Sequence, residues 1–186
     1  MTPKVLVPIA DGTEEIEAVC IIDVLRRAGA DVVVASVGDL QITASRGVRI
    51  VADRLIAECM DDTFDLIVLP GGIPGAEHLR DSLELKTLLR RQKDENRYYG
   101  AICAAPAVVL EAHGLLEGTR ATGHPNFMDQ LSPERADTAR VVVDGRCATS
   151  RGPGTALEFA LELVAMLFGR DHAEGVAAPM VIAGRN

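Results

Sequence analysis

Apolar residues fall along this chain in two alternating rhythms. Short unbroken runs suit strands of a parallel sheet covered on both faces, and longer stretches with apolar residues every three or four positions suit helices packed on it. Val5-Leu6-Val7-Pro8-Ile9 reads as a strand over 4–10, with Pro8 tolerable only at a strand end or bulge. Asp11-Gly12-Thr13-Glu14 offers a turn with Asp11 as N-cap and Glu14 three residues on. A helix over 14–28 follows, stopped by Gly29. A strand over 31–37 completes a βαβ unit. Short strands at 41–43 and 48–51 flank Arg46-Gly47, and a buried strand at 64–69 runs into Pro70-Gly71-Gly72-Ile73-Pro74-Gly75. A helical patch at 76–80 and an amphipathic helix at 83–94 come next.

Tyr98-Tyr99-Gly100-Ala101-Ile102 is another buried strand. It stops at Cys103 and turns at once into an apolar helix that extends to about 113 and ends at Gly114. A short strand is expected at 119–122, before Gly123-His124-Pro125. Asp144-Gly145 joins 141–143 to 147–149 as a hairpin. An apolar helix over 156–168 stops at Gly169, and a last helix over 171–178 ends at Pro179. The pattern predicts one α/β sandwich domain over 1–186, with no repeat, linker or low-complexity segment.

A chain of 186 residues can bury roughly 70% of its unfolded surface. With no Trp and 3% aromatic residues, its core must be built from Val, Leu, Ile and Ala. The net charge of −8 argues against general nucleic-acid binding, which needs a basic surface to displace phosphate counterions. Cys20, Cys59, Cys103 and Cys147 are widely spaced, with no C-x-x-C pair and no Cys/His cluster, so neither a zinc site nor another cofactor is expected. The strand pattern begins directly after Met1-Thr2-Pro3 with no secretory segment, and no apolar run approaches the ~20 residues that span a bilayer. The expectation is a reducing cytoplasm, free thiols and no membrane partner.

Cys103 is the first candidate for chemistry. A cysteine on a sharp strand-to-helix turn lies near free backbone N–H groups, whose partial positive charge favours thiolate. The arrangement is the thiol counterpart of the serine nucleophile elbow. Free cysteines are also commonly inert core residues. Glu17 shares a helix face with Cys20, Ile21 and Val24. It reads either as an inward carboxyl kept protonated by poor hydration or as one of three glutamates, with Glu14 and Glu15, complementing the helix dipole. Gly71-Gly72 follows a buried strand, and its N–H groups can form an oxyanion hole or simply an ordinary tight turn. His124 can shuttle protons, line a pocket or serve the structure. His78, His113 and His172 read as solvated, and Arg46 and Arg151 as structural or anion-contacting residues.

Four motifs, Glu14-Glu15-Ile16-Glu17, Leu69-Pro70-Gly71-Gly72, Ala101-Ile102-Cys103-Ala104-Ala105-Pro106 and Thr149-Ser150-Arg151-Gly152-Pro153-Gly154-Thr155, together resemble the Parkinson-disease protein deglycase family of the PfpI superfamily, with its bacterial YajL-type members. The likeness covers nearly the whole chain in order and spacing. It implies a flavodoxin-like three-layer sandwich, a mostly parallel sheet with helices on both faces, and a homodimer with the first helix at the interface. It implies Cys103 as nucleophile and peroxide-sensitive thiol, Glu17 as the protonated carboxyl at the sulfur, and Gly72 and Ala104 as backbone donors. His124 matches a pocket histidine present in some members. Ala44 stands where many members carry a second cysteine.

The activity this implies is glutathione-independent glyoxalase or deglycase chemistry on a small carbonyl substrate or a glycated protein or nucleotide. The alternative is a non-enzymatic oxidative-stress sensor and redox-regulated chaperone working through a Cys103 sulfinate. A flavin- or nucleotide-binding module is disfavoured, because no phosphate loop is present and aromatic stacking residues are scarce.

Overall fold

The computed structural model describes residues 2–182. The chain opens with strand β1 (Lys4–Ile9), helix α1 (Glu15–Arg27) and strand β2 (Asp31–Ser36). A ribbon of β3 (Gln41–Thr43) and β4 (Arg49–Val51) leads to β5 (Arg54–Leu55), a 3-10 turn at Ile56–Cys59 and β6 (Leu66–Leu69). Helices α2 (Gly75–Asp81) and α3 (Leu83–Asp94) precede β7 (Tyr98–Ile102), a π-wound segment at Pro106–Glu111 and a 3-10 segment at Pro125–Gln130. The hairpin β8 (Val141–Asp144) and β9 (Cys147–Ser150) then feeds α4 (Ala156–Phe168) and α5 (Arg170–Ala177).

Seven strands form one sheet in the order β5-β2-β1-β6-β7-β9-β8, all neighbours parallel except β8 and β9. The chain steps one way from β1 to β2 and the other way from β6 to β7, so the strand order reverses between β1 and β6. Right-handed crossovers therefore place α1 on one face, where it packs against α4, and α2 and α3 on the other. This is the flavodoxin-like sandwich, and its carboxyl edge beside the reversal is where such sheets bind ligands.

The apolar runs become the interior of the sheet. All four residues of β6 are buried, as are Val5 to Ile9 of β1. Pro8 sits opposite Ala35 of β2, while the register of β1 with β6 covers Val5 and Leu6, so its missing N–H falls past that ladder. The helices at 83–94 and 156–168 lie where their periodicity predicts them.

Several details differ from expectation. Glu14, not Asp11, caps α1 by accepting from the Glu17 N–H at 2.8 Å, whereas Asp11 accepts from the Thr43 N–H. The segment at 119–122 forms no strand and contributes one bridge, Ala121 with Ala136. The helix after Cys103 is confined to Pro106–Glu111 and is π-wound. His113 is half-buried against the Arg80 carbonyl, whereas His172, which meets the Ala28 carbonyl and stacks on Phe168, stays exposed as expected.

Candidate active site

β7 ends at Ile102 and the next residue, Cys103, takes φ of +67°, in the left-handed region that L side chains avoid. Both sides of that turn are tied down. The Cys103 N–H donates to the Ser150 carbonyl of β9 at 3.0 Å, and its carbonyl accepts from the His124 N–H at 2.8 Å. A non-glycine held in this conformation by its surroundings is backbone strain stored at one residue. It carries the thiol off the end of the strand toward α1 and the β6–α2 loop, and the residue keeps 8% exposure.

Glu17 arrives from the first turn of α1 and is completely buried. Its Oε2 accepts from the Gly71 N–H at 2.8 Å, while Oε1 has no hydrogen-bond partner among the described residues. The Cys103 sulfur faces this carboxyl and also meets the backbone N–H groups of Gly72 and Ala104. Gly71 closes the fit: a Cβ there would lie 2.6 Å from Cys103 Cβ and 2.9 Å from the Ile102 carbonyl oxygen, so only glycine allows this approach.

Burial pushes the Glu17 carboxyl up to about 7, against the lowering effect of the Gly71 N–H and the sulfur contact. Burial, and then the charge of an ionised Glu17, push the Cys103 thiol up to about 12, against the N–H groups of Gly72 and Ala104. The expectation that the turn by itself favours thiolate is therefore corrected. Desolvation and the neighbouring carboxylate outweigh the two backbone donors. The groups titrate as a pair. Between about 7 and about 12 the pair holds one proton, on sulfur or on Glu17.

The structure thus brings together Cys103, Glu17, Gly72 and Ala104. His124 is joined to Cys103 through the backbone, but its ring is engaged elsewhere: Nδ1 accepts from the Asn126 N–H at 3.2 Å, and the ring packs edge-on to Phe127. In the neutral ring the proton then sits on Nε2. Arg151 contacts the carbonyls of Gly123 and Thr138, and Arg46 that of Ser45, so both serve loop structure. Among the described residues no group of three or more His, Cys, Asp or Glu side chains is placed to hold a metal ion.

Two contributors play parts other than those the sequence suggested. Gly71, read with Gly72 as a possible oxyanion-hole donor, orients the Glu17 carboxyl. Glu15, read as a dipole complement, is buried and accepts from Ser45 Oγ and the Arg46 N–H, both at 2.7 Å. Those partners lie 30 and 31 residues on in the chain, beyond any local pattern.

A sandwich with a cysteine on a strained strand-to-helix elbow and a buried glutamate against its sulfur defines a class of thiol-bearing flavodoxin-like proteins. The profile of the DJ-1/PfpI family matches residues 3–166, and the chain belongs to that family. It is 54% identical over 171 residues to Protein DJ-1 homolog B of Arabidopsis thaliana, covering 91% of this chain and 39% of that protein. With Protein DJ-1 homolog A of the same plant, 47% of which is covered, it spans less than half the length of these curated relatives. It is 36% identical to Glutathione-independent glyoxalase DJR-1.2 of Caenorhabditis elegans over 181 residues, covering 96% of this chain and 95% of that protein. The solved structure of Toxoplasma gondii DJ-1, oxidized, superposes with a TM-score of 0.97 at 49% identity, covering 98% of this chain and 100% of that one.

Proposed function

We propose that this DJ-1-type stress-response protein acts on reactive dicarbonyls or early glycation adducts, with Cys103 as nucleophile. The observation that carries the reading is the buried Glu17 carboxyl against the Cys103 sulfur, its Oε1 left without a hydrogen-bond partner among the described residues. A buried acceptor without a donor is costly. A proton on Oε1 donated to sulfur removes that cost and leaves a thiolate. The similarity to a protein named a glutathione-independent glyoxalase supports the same reading.

With methylglyoxal the chemistry balances without a cofactor. The thiolate adds to the aldehyde carbon, and the proton on Glu17 passes to the new oxyanion. The Glu17 carboxylate then removes the C1 hydrogen as a proton, giving an enediol. Return of the proton to C2 yields a lactoyl thioester, and water cleaves the C–S bond to release lactate and the thiol. The N–H groups of Gly72 and Ala104 stabilise the negative charge. His124 holds the Cys103 turn through its backbone N–H, and the proton transfers are assigned to Glu17. Purified protein incubated with methylglyoxal should form lactate. Cys103→Ala should abolish it, and turnover unchanged in that variant overturns the reading.

A second reading rests on the same two N–H groups, which suit the oxygens of an oxidised sulfur, and on the similarity to a structure described as oxidized. Here Cys103 is a peroxide sensor whose sulfinate is held by Glu17. Peptide mass spectrometry after mild peroxide should find two added oxygens on Cys103 before Cys20, Cys59 or Cys147. Preferential oxidation elsewhere counts against it. In either role the protein works as a homodimer through α1, whose Ile16 and Val19 are 53% and 49% exposed.

A further inference from the structure

Tyr98 begins β7 and Cys103 directly follows it, so the opposite end of this strand lies ~16 Å from the thiol at the usual rise per residue. A cavity of about 460 Å³ opens there, between the start of β7 and the turn of the β8–β9 hairpin. Three cationic side chains line it: Lys93, Arg97 and Arg146. An adjoining hollow of about 320 Å³ shares Arg97 and Arg146. On a chain with a net charge of −8, three cations converging on one concavity depart from the general surface.

The carboxylates nearby keep their charge but each has a partner, and among the described residues Asp144 alone lines the cavity itself, against three cations. Asp144, which lines the cavity, accepts from the Arg120 N–H at 2.8 Å. Asp65, in the adjoining hollow, accepts from the Lys4 N–H at 2.8 Å. Glu95 pairs with Arg97 through Nε only, leaving the terminal nitrogens of that guanidinium without a recorded partner among the described residues. Arg146 makes no side-chain hydrogen bond among the described residues; its guanidinium lies 4.5 Å from the ring centroid of Tyr98, which lines the adjoining hollow, so it borders both concavities with its donors unspent. Lys93 differs, because its ammonium spans the carbonyls of Gly114 and Leu115 and so forms part of the wall.

We infer that this cavity is a second binding site, for a phosphate-bearing small molecule, independent of the Cys103 site. Two guanidinium groups, those of Arg97 and Arg146, are a donor set that recognises a tetrahedral dianion through paired charge-assisted hydrogen bonds, with Lys93 adding positive charge from the wall. The volume suits a phosphomonoester of modest size as well as inorganic phosphate. The inference does not depend on what Cys103 does.

The test is an amide NMR titration at constant ionic strength with inorganic phosphate, with a phosphomonoester such as phenyl phosphate, and with chloride alone. Saturable shifts of Asn96, Thr119, Gly145 and Arg146 are expected with both phosphates and not with chloride, while the amides of Gly72 and Ala104 stay in place. The tighter of the two identifies the source of the phosphate group, and either order supports the site. The double variant Arg97→Gln with Arg146→Gln, both side chains at the surface, should weaken binding about tenfold or more, whereas Arg146→Lys should keep part of it. Shifts equal with chloride, equal in the double variant, or centred on Cys103 overturn the inference.

Discussion

At the scale of single residues, two unfavourable choices meet: a carboxyl with no water around it and a side-chain-bearing residue at positive φ. Each has a stability signature. Glu17 has its folded-state value raised from 4.5 to about 7, so the folded protein binds this proton more tightly than the unfolded chain. Its contribution is fully present below 4.5 and is lost as pH rises through about 7. The span corresponds to about 3 kcal/mol. Denaturant unfolding measured from pH 4 to 8 should show this decline, and Glu17→Gln, which still accepts from the Gly71 N–H, should flatten it. For Cys103 the left-handed backbone costs an L residue on the order of 1 kcal/mol. Cys103→Gly should therefore be more stable than Cys103→Ala by about that amount in urea titrations. Equal stabilities would mean that the turn is unstrained. Cys103 and Glu17 were legible in the sequence because one ends a buried run and the other sits in an apolar helix. The sign of the thiol's shift was not, since it depends on burial that only the assembled site creates.

At the scale of elements, α1, the β6–α2 loop and the ribbon of β3 and β4 act as one clamp around the thiol. Glu15 joins α1 to the ribbon through Ser45 and Arg46, and Gly71 joins the loop to Glu17. Glu15→Ala should cost about 1–3 kcal/mol in thermal or denaturant unfolding, because it leaves the Arg46 N–H and the Ser45 hydroxyl without their acceptor. Gly71→Ala should be destabilising by a similar amount, on the order of 1–3 kcal/mol, and should slow alkylation of Cys103. Elements with a long, unambiguous period, such as α3 and α4, could be read from the sequence to the residue. The two residues of β5 and the 3-10 segment at Pro125–Gln130 could not, because they are too short to carry a period. The π winding at Pro106–Glu111 is likewise invisible to a helical pattern whose hydrogen bonds span one residue fewer.

At the scale of the whole molecule, the sheet separates functions by its two ends. The carboxyl ends of the strands gather Cys103, Glu17 and the glycine loop, and the start of β7 carries the basic cavity. No helix among the described residues is long and apolar enough to cross a membrane. In the proposed homodimer a second copy of the chain covers the side of α1 that carries Ile16 and Val19. Light scattering should give twice the chain mass, and Val19→Asp should shift it toward the monomer; a wild-type monomer at micromolar concentration contradicts the dimer. That architecture was legible because alternating strand and helix signals in a chain of this size leave few other arrangements. The basic cavity was not, because Lys93, Arg97 and Arg146 meet only when the hairpin returns beside β7.

The central claim is that Cys103 and Glu17 share one proton near neutrality and that this state is the reactive one. The most direct measurement is the alkylation rate of Cys103 from pH 5 to 10, in the wild type and in Glu17→Gln. The account predicts a wild-type rate that rises through an apparent value of about 7, as the pair gives up its first proton. In Glu17→Gln that step should disappear, leaving only the titration of the thiol itself. A wild-type rate that is flat across neutrality, or a profile identical in the variant, would contradict it.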